Sequence, residues 1–227
     1  MPKEQGIVGI PLLILISLLC LSAFFALGWD WARQGPSFFV DQEMLRQAQA
    51  GVSAHPSVSR FLAQAGVLGG SHCLWAIALL LCLALALKRD WPALLVAVIL
   101  IVLGTLCLDS AKSLFQRPRP IPGLPGASGF SYPSGGAFLA FLVYGTAACL
   151  SPRIIPVGWL KRMVVLVSVI AVLLVGLSRL SLRLHWFTDI LGAYALGASW
   201  ISLNLAALKI FQKAIHRGDF RDHDQGS

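Results

Sequence analysis

The sequence predicts an all-α, polytopic membrane protein with six transmembrane helices, and three observations carry that reading. Of its 227 residues 57% are apolar and only 12% are charged, where a soluble chain carries about 25% charged residues. So few charges cannot cover a water-facing surface, and the mean hydropathy of +0.76 agrees. The apolar residues also fall into six blocks, each near the roughly 20 helical residues that cross a hydrocarbon core about 30 Å thick. Finally, each block is apolar all round, without the alternation that a strand of a transmembrane barrel requires.

The first block, residues 6–28, faintly resembles a signal peptide. It runs on without a convincing small-x-small cleavage site, so residues 1–29 are read as a retained first span. Residues 30–60 form the longest segment between spans, weakly amphipathic over 41–50 and broken at Ala54-His55-Pro56. Such a segment either lies on the extracytoplasmic membrane surface or closes over a site as a lid. Residues 61–211 supply a five-helix core, with spans at 61–87, 91–108, 134–150, 163–180 and 190–211. The third and fourth of these five are short and need residues from neighbouring motifs to complete their crossing. The tail, 212–227, is polar from His216 onward and is expected to be disordered.

Charge sets the orientation. Lys3, Lys88, Arg89, Arg153, Lys161, Arg162, Lys209, Lys213, Arg217 and Arg221 fall on one side of the six spans. Arg33, Arg46, Arg60, Lys112, Arg117, Arg119, Arg179 and Arg183 fall on the other, most of them in the short stretches 112–119 and 179–183. With those two stretches set aside as functional, the positive-inside rule places both termini in the cytoplasm of an inner-membrane protein. The clustered cations then face the periplasm or exterior. The net charge of +8 is scattered between apolar blocks rather than run together, so no nucleic-acid partner is expected. Cys20, Cys73, Cys82, Cys107 and Cys149 all sit in apolar stretches, with no CxxC pair and no zinc spacing. They read as small hydrophobes.

Three stretches depart from ordinary membrane sequence, where ionisable residues are expensive. The first is Lys112-Ser-Leu-Phe-Gln-Arg-Pro-Arg119-Pro120. Its lysine and arginine stand about two helical turns apart, and they can converge on one anion as a point charge and a bidentate fork. Read blandly, it is a basic helix end among lipid headgroups. The second is Tyr132-Pro133-Ser134-Gly135-Gly136, which opens a span. Ser134 can simply cap that helix, or the exposed amides of its first turn can receive an anion. The third is Ser178-Arg179, then His185, then Asp189. On a helix His185 and Asp189 share a face at i, i+4, so the carboxylate can fix the imidazole tautomer and free the other nitrogen as nucleophile or base.

Together these motifs resemble the type 2 phosphatidic acid phosphatase superfamily, whose signature is K-x6-RP, PSGH and SR-x5-H-x3-D. The spacing from Lys112 to Arg119-Pro120, and from Arg179 to His185 to Asp189, fits in both places. The resemblance implies that Lys112, Arg119 and Arg179 bind a phosphate, with Ser134 and the Gly135 backbone adding hydrogen bonds. It implies that His185 is a nucleophile forming a phospho-histidine, that Asp189 orients it, and that no metal or other cofactor takes part. Arg117 and Arg183 flank the motifs without matching them and are expected to lie outside the site.

One position departs. Gly136 stands where the family carries a second histidine, which resembles a general acid. The chain is then either an engineered variant or a natural member using another acid, with His72 a conceivable substitute. Turnover is expected to be impaired, and a histidine restored at 136 is expected to leave the phosphate-binding cations untouched. The implied function is an integral-membrane lipid phosphatase acting on a lipid phosphate or pyrophosphate, of the phosphatidylglycerophosphate or undecaprenyl pyrophosphate type. A non-catalytic phospholipid-binding or transport relative and a lipid phosphotransferase stand as alternatives.

Overall fold

The computed structural model describes residues 9–35, 37–121 and 129–224. Every regular element among them is helical. In chain order these are α1 (Ile10–Ala32), α2 (Ser37–Ala54), α3 (Pro56–Ala65), a 3-10 turn (Gly66–Gly69), α4 (Ser71–Leu87), α5 (Trp91–Phe115), α6 (Gly135–Ile154), α7 (Gly158–Ser181) and α8 (Phe187–Asp224).

Five helices (α1, α5, α6, α7 and α8 as far as Ala214) are long and apolar enough to cross a bilayer. The expected span at 61–87 is not one rod. Pro56–Gly69 and Ser71–Leu87 form a pair bent by 47°, because extended backbone at Gly70 interrupts the helical hydrogen bonding. The count of six holds if that bent pair is one span.

Local chemistry sets the other boundaries. Asp90 caps α5 by accepting from the Ala93 amide at 3.2 Å, which satisfies one of the unpaired first-turn donors. The same helix runs past the expected 108 to Phe115, where Gln116 turns left-handed at φ 49° ahead of Pro118. Lys112 therefore sits on the last turn of α5 rather than beyond it. The spans expected to be short are helices of 20 and 24 residues. The backbone of the tail is not irregular either, since α8 continues to Asp224. Residues 6–8 of the expected first span lie outside the described residues.

The central helix is α6, which packs against α4, α5, α7 and α8, while α1 lies along α8. Phe138 and Leu142 of α6 meet Leu100 and Leu108 of α5 and Ile190, Ala193 and Leu196 of α8 in one core cluster. On its other side, Ala140 and Val143 pack with Leu74 and Ala78 of α4 and Val175 of α7. Outward-facing Leu19, Leu79, Leu87 and Leu106 are 60–77% exposed, as lipid contact requires and water would not favour. The C-terminal ends of α1, α5 and α7 and the N-terminal ends of α4, α6 and α8 gather at one end of the bundle, and the three motifs meet there.

Candidate active site

Asp189 is the third residue of α8, and its carboxylate accepts from the Trp186 amide, just ahead of the helix, at 2.9 Å. This is half of a capping box. His185 is not on that helix: it lies in the turn between α7 and α8. The pair is therefore joined across a helix N-terminus rather than along a helical face. Asp189 Oδ2 stands 3.4 Å from His185 Nδ1, and it also accepts from the Ser131 hydroxyl. Nδ1 lies 2.9 Å from the Ser131 carbonyl oxygen. A carbonyl can only accept, so Nδ1 carries the proton and Nε2 keeps its lone pair when the ring is neutral.

Burial pushes the imidazole below its ordinary range; Asp189 pulls it back by hydrogen bond and charge, and the nearby Arg119 and Lys112 push it down again. The net direction is down, so the neutral ring predominates at neutral pH. A buried, tautomer-fixed, neutral imidazole with its lone pair on Nε2 is equipped for nucleophilic attack.

The three predicted cations gather around that nitrogen and the start of α6. Arg119 Nη1 lies 3.2 Å from His185 Nε2 and donates to the Leu184 carbonyl at 2.8 Å, while its Nε donates to Gly129 at 3.1 Å. Lys112 Nζ donates to the Phe130 carbonyl at 2.6 Å, and its Cε runs 3.7 Å from where a Cβ on Gly135 would stand. Arg179 donates from Nη2 to the carbonyls of Gly69 and Gly66, at 3.2 and 3.5 Å. Its Nε is buried and unpartnered.

Ser134 occupies the N-cap position of α6, yet its side chain caps nothing. Its amide donates to the Asp189 carbonyl at 3.0 Å, and its buried hydroxyl has no partner. The bland capping reading fails here. An unsatisfied hydroxyl beside three cations and a helix N-terminus is suited to an anion.

The PAP2 superfamily matches residues 93–213, a stretch that contains all three motifs. The chain belongs to the PAP2 superfamily. Phosphatidylglycerophosphatase B of Bacillus subtilis (strain 168) is 35% identical over 114 residues, covering 48% of this chain and 55% of that protein. The chain thus spans about half the length of that curated relative. The solved structure of the first transmembrane PAP2-type phosphatidylglycerolphosphate phosphatase, also from Bacillus subtilis, matches with a TM-score of 0.73. The identity there is 25%, covering 88% of this chain and 96% of that one. The protein is a multi-pass membrane member of this phosphatase family.

Within the PAP2 frame, Gly136 has a structural consequence that spacing alone does not carry. A Cβ there would fall 2.6 Å from Arg179 Nε and 2.9 Å from its Cζ. The guanidinium fills the space of the absent side chain. Restoring histidine at 136 therefore cannot leave the cations untouched, because Arg179 must first move. His72 is exposed on the first turn of α4, so burial in the site does not support it as the replacement acid.

Sequence reasoning also set aside a residue that the structure places at the centre. Arg117 is 1% exposed and donates to both Asp189 and Asp41. Arg183 lies outside as expected, exposed in the turn after α7 with φ 57°. The only sequence signal for Arg117 was its membership of the Arg-Pro-Arg-Pro run. Asp41 had none, being one acid on a weakly amphipathic segment outside the PAP2 match. Ser131, one residue before the second motif, was equally unmarked.

Proposed function

We propose that this protein is a lipid phosphatase of the membrane PAP2 type, with His185 as the nucleophile. The observation that carries the reading is the buried His185 imidazole, its Nδ1 fixed by Ser131 and Asp189 and its Nε2 turned toward Arg119. Nε2 attacks phosphorus, the bond from phosphorus to the lipid oxygen breaks, and that oxygen leaves with the electron pair. Water then hydrolyses the phospho-histidine. Lys112, Arg119 and Arg179 offset the charge of the phosphate, and the Ser134 hydroxyl and the first-turn amides of α6 donate to its oxygens. Asp189 stabilises the imidazolium character that develops on His185.

The substrate is an amphiphile with its phosphate at headgroup level and its tail in the bilayer, since the site lies at the end of a bundle whose outer faces are apolar. Phosphatidylglycerophosphate is the first candidate, because both relatives carry that substrate class in their names. Undecaprenyl pyrophosphate is the second. The distribution of basic residues supports a site facing the periplasm or exterior, with both termini cytoplasmic.

Gly136 favours a second reading, a phospholipid-binding relative without turnover, because glycine has no proton for the leaving oxygen. Release of inorganic phosphate from phosphatidylglycerophosphate in detergent micelles separates these readings and the phosphotransferase alternative. A phosphatase releases phosphate and loses it with His185→Ala; a binder releases none, and a phosphotransferase releases little without a lipid acceptor.

A further inference from the structure

Beside His185 lies a buried network that the proposed chemistry draws on only at Asp189. Asp41 of α2 is 0% exposed and Arg117 is 1% exposed. Arg117 Nη2 donates to Asp41 Oδ2 at 2.5 Å. Its Nη1 donates to Asp189 Oδ1 at 2.8 Å and to the Thr188 hydroxyl at 2.7 Å. The Thr188 hydroxyl donates to Asp41 Oδ2 at 2.6 Å, and the Thr188 amide donates to Asp41 Oδ1 at 2.8 Å. Asp41 therefore caps α8, the helix that carries Asp189, from a different helix. The guanidinium lies over two indole rings, with its Cζ 5.4 Å from Trp31 and 5.5 Å from Trp186.

Stability alone is a weak reason for such a network, since buried ion pairs gain little over apolar packing of equal volume. Its placement gives a better one. Arg117 takes one oxygen of Asp189, so the other is the one left to face His185 Nδ1. The charges also matter. Two carboxylates and one guanidinium leave a single net negative charge beside the imidazole. Without Asp41 the trio is neutral, and without Arg117 it is doubly negative.

We propose that Asp41 and Arg117 are positioning residues for the His185–Asp189 pair, tying α2 to the site and setting the charge that the imidazole meets. The inference rests on the reading of His185 as the reacting group. It also gives residues 30–60 a task that neither a surface connection nor a lid describes. Besides this trio, His185 faces Lys112 from α5 and Arg119 and Ser131 from the chain between α5 and α6; these remain unchanged in the test.

The test has two arms on the full chain in detergent micelles. The first follows the ¹⁵N signals of the His185 ring through a pH titration, assigned by their loss in His185→Gln. Asp41→Asn should move the titration midpoint down and Arg117→Gln should move it up. A merely structural network would, on loss of either residue, let water in and move both midpoints up toward the ordinary imidazole value. Shifts in the same direction, or none, overturn the proposal. Should Arg117→Gln fail to fold, Asp41→Asn alone still requires a downward shift.

The second arm measures phosphate release. Asp41→Asn and Arg117→Lys should lower kcat about tenfold to a hundredfold, the scale of a small misplacement of reacting groups, with KM within about threefold. Arg117→Lys keeps the charge but loses the fork, so its midpoint should stay near that of the unaltered chain. If the unaltered chain is active and the variants keep its kcat, the positioning role falls. If the unaltered chain releases no phosphate, the phosphatase reading falls, and the titration arm still decides the pair.

Discussion

Restoring a side chain at position 136 separates two effects that the structure sets against each other. A Cβ on Gly136 would stand 2.6 to 2.9 Å from three atoms of the Arg179 guanidinium, so the arginine must leave its resting place. What holds it there is two long bonds to the carbonyls of Gly69 and Gly66, at 3.2 and 3.5 Å. Each bond to a charged group contributes about 1.5–3 kcal/mol at ordinary length, so displacing the guanidinium from both costs no more than about 3–6 kcal/mol. A general acid contributes about 10²- to 10⁴-fold in rate, or about 3–5.5 kcal/mol at 1.36 kcal/mol per decade. The acid acts on turnover and the displaced clamp on affinity, so kcat and vanadate binding separate the two. Gly136→Ala isolates the steric part: its affinity for vanadate, measured by isothermal calorimetry, should fall by roughly tenfold to a hundredfold, with no gain in kcat. Gly136→His should show a similar loss of vanadate affinity but a kcat about 10²- to 10⁴-fold above that of the alanine form. The gain should be larger on a monophosphate ester than on a pyrophosphate, whose leaving phosphate needs little protonation. The reasoning is refuted if Gly136→Ala binds vanadate within about twofold of the unaltered chain, or if the histidine and alanine forms turn over alike.

Other perturbations probe the remaining parts of the site. Arg119→Ala removes the cation 3.2 Å from His185 Nε2 and should weaken vanadate binding by about tenfold to a hundredfold, whereas Arg183→Ala should leave it unchanged. His185→Ala should abolish phosphate release, and alkaline quenching with labelled substrate should trap phosphate on the protein only when His185 is present. Because burial holds the His185 imidazole below 6.5, the neutral ring persists as pH falls through that value. The acid limb of kcat/KM should therefore have its midpoint below 6.5, and a midpoint above it would contradict the burial argument. For orientation, Ile121→Cys in a cysteine-free background should react with an impermeant thiol reagent on intact cells; labelling only after lysis would reverse the topology.

The architecture was legible in the sequence wherever one physical rule dominated. Apolar length located the spans, and motif spacing picked out Lys112, Arg119, Arg179, His185 and Asp189, which the fold brings to one end of the bundle. What spacing could not carry was how they meet. The i, i+4 rule suggested a shared helical face for His185 and Asp189, but the chain leaves the helix before His185, and the capping bond from Trp186 to Asp189 sets the geometry instead. Arg117 was misjudged because a motif names positions and not burial: a guanidinium between two carboxylates looks identical, in sequence, to one among lipid headgroups. Asp41 was illegible for a related reason. Its partners Arg117 and Thr188 lie 76 and 147 positions away, and no local pattern records a contact of that range.

The break in the second span illustrates why such a site forms where regular structure stops. In a bilayer, a carbonyl that loses its helical partner has no water to turn to and costs several kcal/mol. A guanidinium at the same depth has the opposite need, five donors and no acceptor. The 3-10 turn at Gly66–Gly69 frees carbonyls, and Arg179 at the end of α7 supplies donors to two of them. The two groups satisfy each other, which lets both persist in an apolar bundle. Glycine is required for the approach: a Cβ on Gly69 would fall 2.6 Å from Val175 Cγ1 and 3.2 Å from Arg179 Nη2. Since both bonds are long and Nε remains unpartnered, the arrangement holds the arginine without saturating it. A cation held in that way keeps donors in reserve for an anion arriving at the start of α6.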